Sequence, residues 1–150
     1  ASWSRGLGDV YKRQVIEIGN VKILLLHGDT LCTDDHEYQN FRTMVRSSIW
    51  QKEMLSKSLE ERLAIANNLR EKSKEANRLK GEEIMDVNNT EVMNIIEKYR
   101  PDVIIHGHTH RPNIHRHNEV IRYVLGDWYK NFFILTYDND KFYINKGLLK

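Results

Sequence analysis

The stretch VIIHGHTHRP (residues 103–112) places three histidines within five residues, directly after a short apolar run. The apolar run is typical of a buried strand, so that His106, His108 and His110 follow the point where the strand gives way to a loop. In layered α/β folds, ligands and catalytic groups gather at the carboxyl ends of parallel strands. Because imidazole is a good ligand for first-row divalent metals, the cluster indicates a metal site rather than a loop with coincidental histidines.

The spacing within this cluster predicts different roles for the three histidines. His108 and His110 are spaced i, i+2 and can aim at the same side of an extended segment. Gly107 is expected to let the backbone turn tightly or approach a neighbouring group closely. His106 still belongs to the end of the strand, and is therefore expected to be structural or to support the metal ligands from behind.

A second strand end carries His27. Two β-prone runs, VIEI and VKILLL, flank Gly19-Asn20, which is a good two-residue hairpin signal. Residues 24–26 are continuously apolar, which predicts a strand buried on both faces that ends in HGDT (residues 27–30). A lone histidine more often forms a hydrogen bond with a nearby backbone group. A metal-binding role for His27 is therefore favoured only in combination with the 106–110 cluster.

Residues 34–99 are predicted to be mostly helical. Asp34 or Asp35 can cap a first helix. The apolar side of that helix is expected to comprise Phe41, Val45, Ser48 and Ile49. Ser58 and Glu61 form a capping-box pattern for a second helix that extends to about Lys80.

A third helix and a β-rich tail complete the predicted elements. The helix covers about residues 89–98 and stops at Arg100-Pro101. After the strand before the histidine cluster, further strands are expected at about 114–117, 120–125, 132–137 and 141–145. Turn signals lie at His117-Asn118 and at residues 138–140.

The second helix carries a stripe of polar side chains, with steps of three, four and three residues placing all four on one face. Its members are Arg70, Ser73, Asn77 and Lys80. Two cations and two neutral hydrogen-bonding groups suit phosphates and sugar hydroxyls. On spacing alone, a solvated helix face is the favoured interpretation. Asp35 remains open between capping the first helix and reaching a ligand.

The composition limits the classes of protein. The chain has 150 residues, of which 40% are hydrophobic and 29% charged, as in an ordinary globular domain. Its net charge of +2 comes from the first fourteen residues, so a general attraction to nucleic acid is not indicated. Those residues lack periodicity and are expected to be a non-native or disordered leader, 1–14. Cys32 is the single cysteine, which excludes an internal disulfide.

Five motifs together resemble the UDP-2,3-diacylglucosamine hydrolases, calcineurin-like metallophosphoesterases of lipid A biosynthesis. They are HGDTLCTDD (27–35), SKEAN (73–77), IMDVN (84–88), HGHTHRP (106–112) and VLGDW (124–128). The GHTH motif alone indicates only a metallophosphoesterase, whereas SKEAN points to this substrate. The resemblance implies an α/β (α+β sandwich) fold class. Residues 15–150 would form the C-terminal part of a layered α/β/β/α sandwich, with a helical cap insertion at about 36–99.

The resemblance also implies roles for individual residues. His27 and His108 would hold one metal, and His110 the second. The residues expected at the substrate are Asp35, Arg70, Ser73, Asn77, Lys80 and His108. The family's Asp-x-His, Gly-Asp and Gly-Asn-x-Asp motifs of the N-terminal half, including a bridging aspartate, have no counterpart here, because Asp9, which follows a glycine, lies in the predicted leader. The chain alone is therefore expected to be inactive or nearly so.

The implied activity is hydrolysis of the pyrophosphate bond of UDP-2,3-diacylglucosamine to UMP and 2,3-diacylglucosamine 1-phosphate (lipid X). A hydroxide activated by two Mn²⁺ ions would attack the α-phosphorus. The expected location is the cytoplasmic face of the Gram-negative inner membrane, as a peripheral protein at the membrane surface, with no nucleic acid and no protein partner. The alternatives are a metallophosphoesterase with another nucleotide substrate and a non-catalytic metal- or nucleotide-binding fragment.

Overall fold

A β-hairpin opens the part of the chain that the computed structural model describes, residues 13–81 and 84–149. Strand β1 (Gln14–Ile18) pairs antiparallel with β2 (Val21–Leu25), as predicted from Gly19-Asn20. Ile23 and Leu24, neighbours that point to opposite faces, are 1% and 0% exposed. The prediction of a strand buried on both faces is thus confirmed. The predicted leader falls almost entirely outside the described residues, although Gln14 lies in β1.

The central sheet has the strand order β1-β2-β3-β5-β4. Strands β3 (Val103–His106), β4 (Asn113–His117) and β5 (Val120–Val124) follow the helical segment. The β2, β3 and β5 strands are parallel, whereas β1 and β4 pair antiparallel at the two edges. The carboxyl ends of β2 and β3 therefore lie at the same end of the sheet, which brings the HGD and GHTH motifs close together.

One face of this sheet is covered by helix α4 (Asn89–Tyr99, the predicted third helix). Val92 and Ile95, which are 0% and 2% exposed, pack with Leu24 and Ile104 of the sheet. Burying each such aliphatic side chain stabilises the fold by about 1.5–3 kcal/mol. The helix ends at Arg100, whose φ of 47° is left-handed, directly before Pro101.

The opposite face is covered by a second hairpin of β6 (Asn131–Asp138) and β7 (Lys141–Leu148), which form their own two-stranded sheet. Its Leu135 and Ile144 pack against Ile23 and Val103 of the central sheet. Helix, sheet and hairpin are thus layered, and the predicted α/β sandwich class is confirmed. The tail strands lie within a few residues of their predicted positions.

The chain separates into two units: Cys32–Asp86 forms one, and the segments on either side of it form the other. The helical unit contains α1 (His36–Val45), α2 (Ser48–Ser56) and α3 (Leu59–Leu79). The predicted capping box is present at α3, because the Ser58 and Glu61 side chains bond each other's backbone N–H groups. None of the described helices is both long and apolar enough to cross a membrane.

The single predicted first helix is wrong, because α1 and α2 are separate helices. The Ser47 hydroxyl accepts a hydrogen bond from Trp50 N at 3.2 Å and caps a new helix there. The residues of the expected apolar side are not buried together: Phe41 is 37% exposed and Ile49 is 80% exposed. Neither α1 nor α2 contains a buried residue.

Candidate functional site

The loop after β2 holds His27 in a defined orientation. Its Nδ1 lies 3.1 Å from Oδ1 of Asp29, a carboxylate that is 1% exposed in a short 3₁₀ turn (Asp29–Leu31). A carboxylate at one ring nitrogen fixes the orientation of the imidazole. The His27 ring centroid lies 4.9 Å from that of His108, with an interplanar angle of 61°. The structure therefore brings together the two histidines predicted to share a metal.

The GHTH loop after β3 has an uncommon backbone. His108 and His110 have φ values of 65° and 54°, a region that non-glycine residues adopt rarely. Thr109 N–H donates to Gly107 O at 2.8 Å, which closes a three-residue turn around His108. Left-handed conformations cost of order 1–3 kcal/mol for such residues and cluster at functional sites.

The close approach predicted at Gly107 is present, because its N–H donates to His27 O at 3.0 Å, but the position that requires a glycine for steric reasons is Gly28. Gly107 does not adopt a left-handed φ, and a Cβ there would meet only His27 O at 4.0 Å. Gly28 has a φ of 112°, and a Cβ there would lie 2.8 Å from His106 Nδ1 and 3.3 Å from His108 Cβ. The close approach of the two loops thus depends on a glycine in the first loop, because the loops meet over the His106 ring.

His110 lies beside the loop that follows β5. Its side chain is half exposed, with Nδ1 at 3.9 Å from Asp127 Oδ2 and the ring 6.3 Å from that of Tyr129. Sequence reasoning named neither Asp29 nor Asp127 as a site residue. The signal that identifies them is a Gly-Asp pair directly after a strand, which occurs in both HGD and VLGDW.

In the helical unit, the predicted substrate residues Asp35 and Lys80 contact each other. Lys80 Nζ lies 2.7 Å from Asp35 Oδ1 and 3.1 Å from Glu37 Oε2. Asp35 also caps α1 by accepting a hydrogen bond from Tyr38 N at 3.0 Å. Burial opposes the charge of Lys80, but the hydrogen bonds to the two carboxylates outweigh it and raise the pKa of Lys80 above its ordinary value.

Three members of the predicted polar stripe line a groove of about 220 Å³ in the helical unit. Ser73 and Asn77 are exposed at this groove and Lys80 is half-buried. Apolar side chains of the same groove include Phe41 and Leu69. Arg70 is exposed on the same helix but does not line the groove.

Residues 2–112 match the family model of calcineurin-like phosphoesterases. The chain belongs to this family. The family is one of phosphoesterases with a divalent metal cofactor. In this chain, His27 and His108 come together at the carboxyl ends of β2 and β3.

Curated relatives of this phosphoesterase match over most of the chain. The UDP-2,3-diacylglucosamine hydrolase of Haemophilus influenzae is 44% identical over 119 residues, covering 79% of this chain and 50% of the relative. The protein of the same name from Bordetella pertussis is 48% identical over 120 residues, covering 76% of this chain and 46% of the relative. The chain thus spans about half the length of the curated relatives that it matches.

Among solved structures, Vps29 from Entamoeba histolytica aligns with a TM-score of 0.42 at 12% identity, covering 100% of this chain and 67% of that chain. Vacuolar protein sorting 29 from Cryptosporidium parvum aligns with a TM-score of 0.40 at 10% identity, covering 91% of this chain and 56% of that one. The family membership does not depend on these two alignments.

The side chains of this site meet only some of the requirements for binding a divalent metal ion. Two imidazoles, with a buried carboxylate orienting His27, suit a first-row metal. Between His108 and His110, the Thr109 hydroxyl is buried and has no hydrogen-bond partner among the described residues. Residues 13–81 and 84–149 contain no group of three or more His, Cys, Asp or Glu side chains arranged as a metal site, so His110 does not form such a group with His27 and His108.

Proposed function

We propose that this chain carries the C-terminal metal and substrate groups of a UDP-2,3-diacylglucosamine hydrolase. The reaction is cleavage of the pyrophosphate bond to give UMP and 2,3-diacylglucosamine 1-phosphate in lipid A biosynthesis. The observation that carries the proposal is the pairing of His27 with His108, 4.9 Å apart between ring centroids, in a chain whose curated relatives bear that name.

The metals in this proposal are two Mn²⁺ ions per intact site, with His27 and His108 at one and His110 at the other. When bound, such ions lower the pKa of coordinated water and neutralise charge on the phosphoryl group. The chain's own contribution is orientation. Asp29 holds the His27 ring, and the left-handed backbone of the GHTH loop holds His108 and His110.

The helical unit supplies the proposed substrate contacts. Ser73, Asn77 and Lys80 offer neutral and cationic donors along one groove, a set suited to phosphate and sugar oxygens. Burial opposes the charge of Lys80, but the hydrogen bonds to Asp35 and Glu37 raise its pKa above the ordinary value, so its ammonium group stays charged at neutral pH. Asp35 and Arg70 are included by family resemblance, and His108 would contact both metal and substrate.

A peripheral position at the cytoplasmic face of the inner membrane is part of the proposal. The helical unit exposes large apolar side chains, among them Ile49 (80%), Leu55 (71%) and Leu59 (67%). Exposed apolar groups of this kind suit acyl chains or a lipid surface. Co-sedimentation with phospholipid vesicles, compared between the wild type and Ile49→Ser, tests this part, and equal binding by both would argue against it.

The activity of the chain by itself is the first expected result. With three proposed histidine ligands and no bridging carboxylate identified within residues 13–81 and 84–149, the 150-residue chain should release UMP from UDP-2,3-diacylglucosamine slowly or not at all. The same chain joined to a matching N-terminal half of a curated relative should hydrolyse it in the presence of Mn²⁺. Rapid metal-dependent release by the chain alone would contradict the assignment of the ligands, and an inactive joined protein would favour a non-catalytic metal-binding module.

The groove gives the second expected result. In the joined enzyme, Asn77→Ala should lower kcat/KM for the diacyl sugar nucleotide about 10-fold, because one hydrogen bond to substrate contributes roughly 1 kcal/mol or somewhat more. Bound metal, measured by mass spectrometry, should stay at the wild-type level. The matched control is Arg78→Ala, which removes an exposed side chain next to Asn77 on the same helix but outside the groove. Equal kinetics for both variants would make the stripe a solvated helix face.

A further inference from the structure

A buried arginine lies behind the GHTH loop. Arg122 of β5 is 4% exposed, and its Nη1 is 2.9 Å from Nε2 of His106, a ring that is itself 2% exposed. Arg122 Nε also donates to Nε2 of His117 at 3.2 Å. Burial, together with the charge of Arg122, lowers the pKa of His117, which keeps that ring neutral. A guanidinium has donors only, so Nε2 of His106 must be the unprotonated nitrogen.

The other side of the His106 ring leads to the same conclusion independently. Its Nδ1 lies 3.0 Å from the backbone oxygen of Gly107. A carbonyl oxygen only accepts, so this contact is a hydrogen bond only if Nδ1 carries the proton. Both contacts therefore require neutral His106 in the Nδ1–H tautomer. The Nε2–H tautomer would place a donor against Arg122 and a lone pair against Gly107 O.

The bond to Gly107 O connects this tautomer to the shape of the loop. The same oxygen accepts Thr109 N–H at 2.8 Å, which closes the turn centred on His108. On its other side, Gly107 N–H donates to His27 O at 3.0 Å. The His106 ring therefore contacts Gly107, the residue that is hydrogen-bonded both to the His27 loop and to Thr109 in the His108 turn.

We propose that Arg122 is a positioning residue for the GHTH loop, which fixes His106 in the Nδ1–H tautomer and thereby holds the left-handed turn at His108. The inference rests on the proposed metal role of His108 for its consequence in catalysis. The test measures proton positions in the metal-free chain. The inference can therefore fail while the proposed function stands, and the proposed function can fail while the inference stands.

The first measurement needs no substitution. Nitrogen-15 NMR of the histidine rings in the wild-type chain, treated with chelator at neutral pH, should show His106 protonated at Nδ1 and bare at Nε2, and Thr109 N–H should be protected from hydrogen exchange. A neutral His106 protonated at Nε2, or a doubly protonated ring, would overturn the proposal even if no variant folds.

The second measurement uses Arg122→Met, which removes the donor and fills similar volume with an apolar side chain. We expect His106 to lose its single tautomer and Thr109 N–H to lose protection, while Ile121 N–H, bonded to Asp102 O at 3.1 Å, stays protected. The matched control, Arg116→Met, removes an exposed arginine of β4 and should change neither signal. In a His106→Asn background, Arg122→Met should cause little further loss at Thr109, because the residue through which it acts is gone. An unchanged His106 tautomer in a folded Arg122→Met chain would refute the role.

Discussion

Replacing His108 with alanine in the joined enzyme is expected to abolish UMP release. Losing a group that only supports a metal ligand typically costs about 10–100-fold in affinity or activity, and a ligand itself should cost more. The His108 ring lies 4.9 Å from that of His27 between centroids, and the left-handed backbone of His108 costs free energy that the surrounding fold must offset. Bound manganese, counted by mass spectrometry, should fall together with the rate.

Two other histidines provide the comparison. His110→Ala should also abolish activity with loss of metal, since His110 is the proposed ligand of the second ion. His115→Ala changes a histidine of β4 outside the loop, and should leave both metal content and rate near the wild type. Full metal occupancy in His108→Ala, or equal losses in His115→Ala, would remove the GHTH loop from the metal site.

Gly28→Ala is expected to produce a large loss of stability from a single added methyl group. A φ of 112° alone costs an alanine of order 1–3 kcal/mol. The added Cβ would also lie 2.8 Å from His106 Nδ1 and 3.1 Å from Gly107 O, so both loops would have to move. Urea unfolding of the chain measures the change in the free energy of unfolding.

Gly107→Ala is the matched control because the same substitution is made in the facing loop. The backbone of Gly107 is not left-handed, and its Cβ would make an ordinary contact with His27 O at 4.0 Å. Alanine at a compatible position stabilises by about 0.4–1 kcal/mol through the unfolded chain. A neutral or slightly stabilising effect is therefore expected. If the two substitutions had equal effects, the crowding around His106 would not be real.

Elements that depend on local signals could be predicted from the sequence. The hairpin at Gly19-Asn20 and the capping box at Ser58 each require only a few neighbouring residues, and the structure has both where they were expected. The continuously apolar runs predicted the buried strands, because burial on both faces leaves no room for alternation. The neighbouring positions of HGD and GHTH followed from the rule that functional groups gather at carboxyl ends of parallel strands.

What the sequence could not give depends on packing between distant segments. The break between α1 and α2 needed a choice between continuing a helix and capping at Ser47, which periodicity does not decide. Gly28 and Gly107 look equivalent in sequence, and only the position of the His106 ring distinguishes them. The bonds from Arg122 to His106 and His117 connect β5 to β3 and β4, and spacing along the sequence cannot predict them.

The direct parallel pairing of β2 with β3, with Ile23 opposite Val103, has a consequence for how such proteins diversify. The whole helical unit is inserted between two strands that are already hydrogen-bonded neighbours. For a flexible connection, each doubling of length changes the closure free energy by only about 0.6 kcal/mol. Evolution can therefore lengthen, shorten or replace this segment at small thermodynamic penalty, while the strand register keeps the two histidine loops in place. The insertion can therefore change while the arrangement of His27 and His108 stays the same.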